Sequence, residues 1–157
     1  MKVGVLIELF KDTDIDARFA ELRSMGMDSC QLVCWDREIL HDDSVAEAVN
    51  AAVEKHQVHI TAFWCGWEGR RVWDFYEGQL TLGLVPPDYR VERLKMLMEG
   101  SDFAKKIHAT DFATHVGYMP ENPYDPNYQG VLTACKAIVE KCRANGQNFL
   151  FETGQET

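Results

Sequence analysis

MKVGVLIELFKDTDIDARFAELRSMGMDSCQLVCW, residues 1–35, is the stretch that decides the fold. Lys2–Leu9 is a nearly continuous apolar run, the pattern of a parallel strand covered on both faces. Thr13 offers a helix cap, with Asp16 three residues on. Ile15, Phe19, Leu22 and Met25 follow at helical spacing, and Gly26 is placed to end that helix. Ser29–Trp35 is apolar again and reads as a second strand. One complete strand–helix–strand unit is therefore written into the first 35 residues.

The unit repeats outward from there. Ser44 and Glu47 form a capping box ahead of a stripe of Val45, Val49, Ala52, Val53 and His56. Val58–Trp64 is a third strand. Arg90–His108 is a long helical stretch with Val91, Leu94, Leu97, Ser101, Ala104 and His108 on one face, and Gly100 marks a possible kink in it. Phe112–Val116 is a fourth strand. Val131, Cys135, Ile138 and Cys142 mark a fourth helix, ended by Asn145-Gly146, and Asn148–Glu152 is a fifth strand.

Such alternation predicts an α/β protein of right-handed βα units around a parallel sheet. A doubly wound open sheet and a (β/α)8 barrel compete. No G-x-G-x-x-G and no G-x-x-x-x-G-K-[ST] follows any strand, which removes the best sign of a nucleotide fold. The long connections, 65–89 and 117–127, follow strands, and the helix-to-strand connections are short; this favours the barrel. A whole barrel takes about 250 residues. The 157 residues hold four βα units and a fifth strand. They are expected to form one domain, the amino-terminal part of a single barrel.

Composition agrees with an ordinary globular domain of 46% hydrophobic and 26% charged residues. A net charge of −9 repels a phosphate backbone and argues against nucleic-acid binding. No apolar stretch approaches the ~20 residues that span a bilayer, and the amino terminus lacks a signal-peptide cleavage site. Five cysteines, none in a C-x-x-C pair, read as reduced, buried small hydrophobes of a cytoplasmic protein.

Several polar or aromatic residues fall at the carboxyl ends of strands. Glu152 closes the run Phe149-Leu150-Phe151, where it suits a metal ligand or a base, or equally a solvated acid. His115 ends the preceding strand and is close enough, at a strand spacing of about 4.8 Å, to share a site with Glu152. Taken alone, a core histidine bonded to backbone is the plainer reading. Gly117 beside it permits close approach of a ligand or backbone. Phe63-Trp64-Cys65-Gly66-Trp67-Glu68-Gly69 puts indoles where a sugar face packs, or forms a loop folded under its own aromatics. One of Arg70 and Arg71 is suited to a phosphate or carboxylate, although adjacent arginines are commonly just solvated. The long connection to Pro86-Pro87 suggests a binding loop. Glu8 ends the first strand. His59 starts the third strand at the far end; His41, His56 and His108 lie on or beside helices and read as structural.

These residues together resemble the sugar phosphate isomerase/epimerase group with the xylose isomerase-like TIM barrel, which also contains apurinic endonucleases and ketose 3-epimerases. The resemblance is carried by Val3-Gly4-Val5-Leu6-Ile7-Glu8, by Thr61-Ala62-Phe63-Trp64 through Gly69, by Ala113–Gly117 and by Phe149–Gln155. It implies that Glu152 is a divalent-metal ligand and one acid/base, with His115 as a second ligand or a substrate contact. Glu8, Trp64, Trp67 and Glu156 join them as expected substrate contacts. The implied cofactor is a divalent ion (Mn, Mg, Co or Zn), and the implied partner is a small sugar or sugar phosphate. The group's other ligands come from the sixth to eighth strands. The expected function is therefore a metal-dependent sugar or sugar-phosphate isomerase or epimerase, with this stretch alone inactive. It is expected to associate with another copy or with the missing carboxyl-terminal half. An apurinic-endonuclease-like phosphodiesterase and a non-catalytic polyol-binding module are the alternatives.

Overall fold

In the computed structural model, which describes residues 3–153, five strands alternate with six helices. They are β1 (Val5–Leu9), α1 (Ile15–Ser24), β2 (Ser29–Cys34), α2 (Arg37–Leu40), α3 (Asp43–His56), β3 (His59–Cys65), α4 (Gly78–Thr81), α5 (Pro87–Lys106), β4 (Asp111–His115), α6 (Tyr128–Ala144) and β5 (Asn148–Glu152). All neighbouring strands pair in parallel, and the order across the sheet is β1-β2-β3-β4-β5. That order settles the architecture. A doubly wound sheet reverses its strand order at a switch point, whereas each strand here is added on the same side, as in a barrel wall.

The helix caps differ in detail from those expected. Asp14, not Thr13, caps α1, accepting from the Ala17 N–H at 3.0 Å. Thr13 is occupied one turn earlier, where its hydroxyl accepts from the Phe10 N–H at 2.7 Å. Asp42, not Ser44, caps α3, and accepts from both the Ser44 N–H and the Ser44 hydroxyl. A carboxylate is the stronger acceptor for the positive end of a helix, so the neighbouring aspartate wins in each case. Gly26 at φ +77° and Gly146 at φ +75° end their helices as expected. The buried stripe of α5 is rotated from the expected one: Arg93, Met96, Leu97, Gly100, Ser101, Phe103 and Ala104 are buried, and Val91 is 64% exposed. Gly100 serves close packing. A side chain there would come within 2.5 Å of Cys65 Sγ, so glycine lets α5 lie directly on β3.

One face of the sheet packs against the helices. Ile7, Leu9, Leu32, Cys34, Phe63, Cys65 and Phe112 meet Phe19 and Leu22 of α1, Val49 of α3, Leu97 and Phe103 of α5 and Ile138 of α6. All five cysteines are buried and unpaired, and burial pushes the thiols of Cys30 and Cys34 up to about 12. They act as small hydrophobes with no ready thiolate.

Among the described residues, no helix covers the other face. Leu6 is 60% and Leu150 42% exposed on it, and β1 and β5 form its two open edges. Among the described residues, no helix is long and apolar enough to cross a membrane.

Candidate active site at the carboxyl ends of the strands

The register sorts the open face into rows. Glu8, Val33, Trp64, Ala113 and Leu150 are aligned across all five strands, and the next row contains His115 opposite Glu152. A cavity of about 560 Å³ lies over this face. Leu6, Val33, Ala113 and Leu150 make its apolar floor, and Glu8, Gln31, Trp35, Trp64, Trp73 and Glu152 supply its polar and aromatic groups. Glu8, Trp64 and Glu152 thus converge on one cavity at the carboxyl side of the strands.

The Glu152 carboxylate is held from below. The indole N–H of Trp64, two strands away, donates to Glu152 Oε2. Trp64 itself is buried, packed with Val33, Ala113 and Trp35. A rigid indole fixes one carboxylate oxygen and leaves the rest of the group toward the cavity.

All four tryptophans of the chain gather here. The Trp35 ring lies 4.7 Å from Trp64, 5.6 Å from Trp67 and 6.5 Å from Trp73, and Trp67 stacks on Trp73 at 6.2 Å. Trp67, expected as a substrate contact, is wholly buried. Its N–H donates to the His115 carbonyl, its face carries the Arg93 guanidinium at 4.1 Å, and it does not line the cavity. Its place in the wall is taken by Trp73. His115 is on the expected face and 2% exposed. Its Nδ1 accepts from the Gly117 N–H at 3.1 Å, and Trp73 covers it edge-on at 5.1 Å. It is thus bonded to backbone and packed against Trp73, which lines the cavity. Glu156 lies outside the described residues. His41 and His56 are used structurally, paired with Glu99 and Asp16.

The loop between β3 and α5 is held by Arg93, a residue the sequence reading passed over. Arg93 is 1% exposed and, among the described residues, has no carboxylate partner. Its guanidinium donates to the carbonyls of Glu68, Arg70, Thr81 and Gly83 at 2.7–3.0 Å and is sandwiched by Trp67 and Tyr89. Burial lowers its pKa to about 10, so it stays charged at neutral pH. Both feet of the loop that presents Trp73 are thereby pinned to α5. An arginine in the first turns of a helix gives no such signal in sequence, because its partners are backbone carbonyls. Trp35 and Trp73 carry a clearer signal: Trp35 directly follows β2, and Trp73 lies in the long connection after β3.

A second lock joins this loop to β4. The Leu84 N–H donates to the Val116 carbonyl at 2.8 Å. Gly83 and Gly117 meet here at φ +64° and +90°; a side chain on Gly117 would come within 2.3 Å of the Leu82 carbonyl oxygen. Gly117→Ala is expected to cost at least about 2 kcal/mol, combining left-handed strain with a backbone clash. Chemical denaturation measures it, and a loss below about 0.5 kcal/mol would show that the two loops separate freely.

Among the described residues, no three His, Cys, Asp or Glu side chains come together as a metal-holding group. Glu152 is an exposed carboxylate at the carboxyl end of β5.

No family model and no curated protein sequence matches the chain. Solved structures do. A xylose isomerase domain protein from Planctomyces limnophilus superposes with a TM-score of 0.84 at 22% identity, covering 99% of this chain and 55% of that one. A 3-keto-D-glucoside 4-epimerase from E. coli gives 0.65 at 17% identity, over 96% and 55% of the two chains. A D-psicose 3-epimerase from Clostridium cellulolyticum gives 0.63 at 12%, over 94% and 51%. The chain spans about half the length of these structures. Its fold is that of half a xylose isomerase-like TIM barrel.

Proposed function

We propose that this chain supplies the amino-terminal half of the active site of a metal-dependent sugar or sugar-phosphate isomerase or epimerase. The observation that supports this most is the Trp64–Glu152 pair in the wall of an apolar cavity at the carboxyl ends of parallel strands. Aromatic walls suit the apolar face of a sugar, and carboxylates accept from its hydroxyls.

In this reading Glu152 is the base that removes a proton from the carbon beside a ketose carbonyl. Trp64 holds the carboxylate in place, while Trp35 and Trp73 flank the ligand and exclude water. Glu8, across the sheet, accepts from a substrate hydroxyl. A divalent ion, if held at the completed mouth with Glu152 as one ligand, would supply polarisation of the carbonyl. Among the residues described, Glu152 would be one of its ligands, and further ligands would come from groups that cover the open face. Either further βα units or a second copy of the chain would cover it.

The test is hydrogen–deuterium exchange beside the carbonyl, followed by NMR on a panel of ketoses in D2O with Mn2+ or Mg2+. The 157-residue chain is compared with a chimera in which the carboxyl-terminal half of the Planctomyces limnophilus protein follows Glu152. Exchange is expected from the chimera. A folded chimera that exchanges no ketose would overturn the proposal.

A further inference from the structure

The cations around this site are nearly all answered. Arg70 pairs with Glu77, Arg37 makes two hydrogen bonds to Glu99, and Arg93 is saturated by carbonyls. Arg71 is the exception. It is exposed, and among the described residues no carboxylate lies within ion-pair reach of it. Its guanidinium lies 4.4 Å over the Trp35 ring, whose edge faces Trp73; both indoles line the cavity. In a chain of net charge −9, an unanswered guanidinium stacked on an indole of the cavity wall is a place where an anion gains rather than loses. The buried charge of Arg93 close by adds to the positive potential there.

The other end of the cavity has the opposite chemistry. Contacts run from Arg71 to Trp35, from Trp35 to Trp64 at 4.7 Å, and from Trp64 to Glu152. The Glu152 carboxylate, at the far end of that chain of contacts, favours hydroxyl groups while repelling anions. A ligand that satisfies both ends carries hydroxyls at one end and a negative group at the other, with an apolar face for the indoles between.

We propose that Arg71 is an anion-recognising residue of this cavity, and that the ligand is a ketose bearing a terminal phosphate or carboxylate rather than a neutral sugar. Planar guanidinium presents two parallel donors to either group, and stacking on Trp35 fixes their direction. The inference rests on the ketose reading above and narrows its substrate class.

The experiment titrates the chain with D-fructose 6-phosphate, D-fructuronate, D-fructose and inorganic phosphate, following tryptophan fluorescence, since all four indoles surround the site. The two anionic ketoses are expected to half-saturate at concentrations about tenfold or more below D-fructose. Arg71→Gln should bring that ratio within about twofold while sparing D-fructose, and Arg70→Gln should leave it unchanged. Preference for only the phosphate ester, or only the uronate, supports the proposal and identifies the group. An anionic-to-neutral ratio below about twofold in the unaltered chain, an unchanged ratio in Arg71→Gln, or no response to any probe overturns it. D-fructose binding without anion preference would sink this inference and leave the ketose reading intact. Inorganic phosphate bound as well as D-fructose 6-phosphate would keep the anion site and remove the ketose.

Discussion

Arg93→Leu is expected to destabilise the protein by about 3–5 kcal/mol, the range seen when one partner of a buried charged network is removed. Four carbonyls, from Glu68, Arg70, Thr81 and Gly83, lose their donor together, and Trp67 loses the cation on its face. Leucine is also too short to fill the space between Trp67 and Tyr89. Arg93→Lys keeps the charge but cannot span four carbonyls from one nitrogen, so a loss of at least about 1 kcal/mol is expected. Urea unfolding gives both values. A red shift of tryptophan emission at zero denaturant should accompany them, because Trp73 is presented by the loop that Arg93 pins. A loss below about 1 kcal/mol in Arg93→Leu would mean that the loop is held by other contacts.

The second large effect is chemical. In the barrel-completed chimera, Glu152→Gln is expected to slow ketose exchange by about 10²–10⁴-fold, the contribution of a positioned general base. The amide keeps the shape and still accepts from Trp64, so unfolding midpoints should stay put. Trp64→Phe keeps the ring and removes the donor. A loss of about tenfold is expected, falling on kcat rather than KM, because the carboxylate is present but no longer oriented. If Glu152→Gln exchanges as fast as the parent, Glu152 is not the base. If Trp64→Phe matches the parent, the indole serves packing alone.

The elements were legible because their signals are local. Continuous apolar runs gave all five strands, and β5 agreed at both ends. Periodicity gave the four long helices, and glycine gave two of their ends. The cap residues were misplaced by one or two positions because several side chains compete for the same orphan N–H groups, and the backbone turn selects among them. The four-residue helices α2 and α4 were not seen, since one turn is too short to show a period.

The sequence by itself determined that this chain builds βα units, and that Glu8, Trp64 and Glu152 fall at strand ends, because parallel strands and crossover helices are specified by residues within a few positions of one another. Tertiary structure decided everything that depends on register between distant segments. Strand order chose barrel over doubly wound sheet. Trp64 reached Glu152 across 88 residues, and Arg93 turned a surface-like position on a helix into the clasp of the aromatic loop. It also exchanged Trp67 for Trp73 in the cavity wall and put His115 under it. An indole or a guanidinium is equally at home in a core and at a site mouth. Only the groups folded against it, most of them backbone carbonyls common to every residue, decide which.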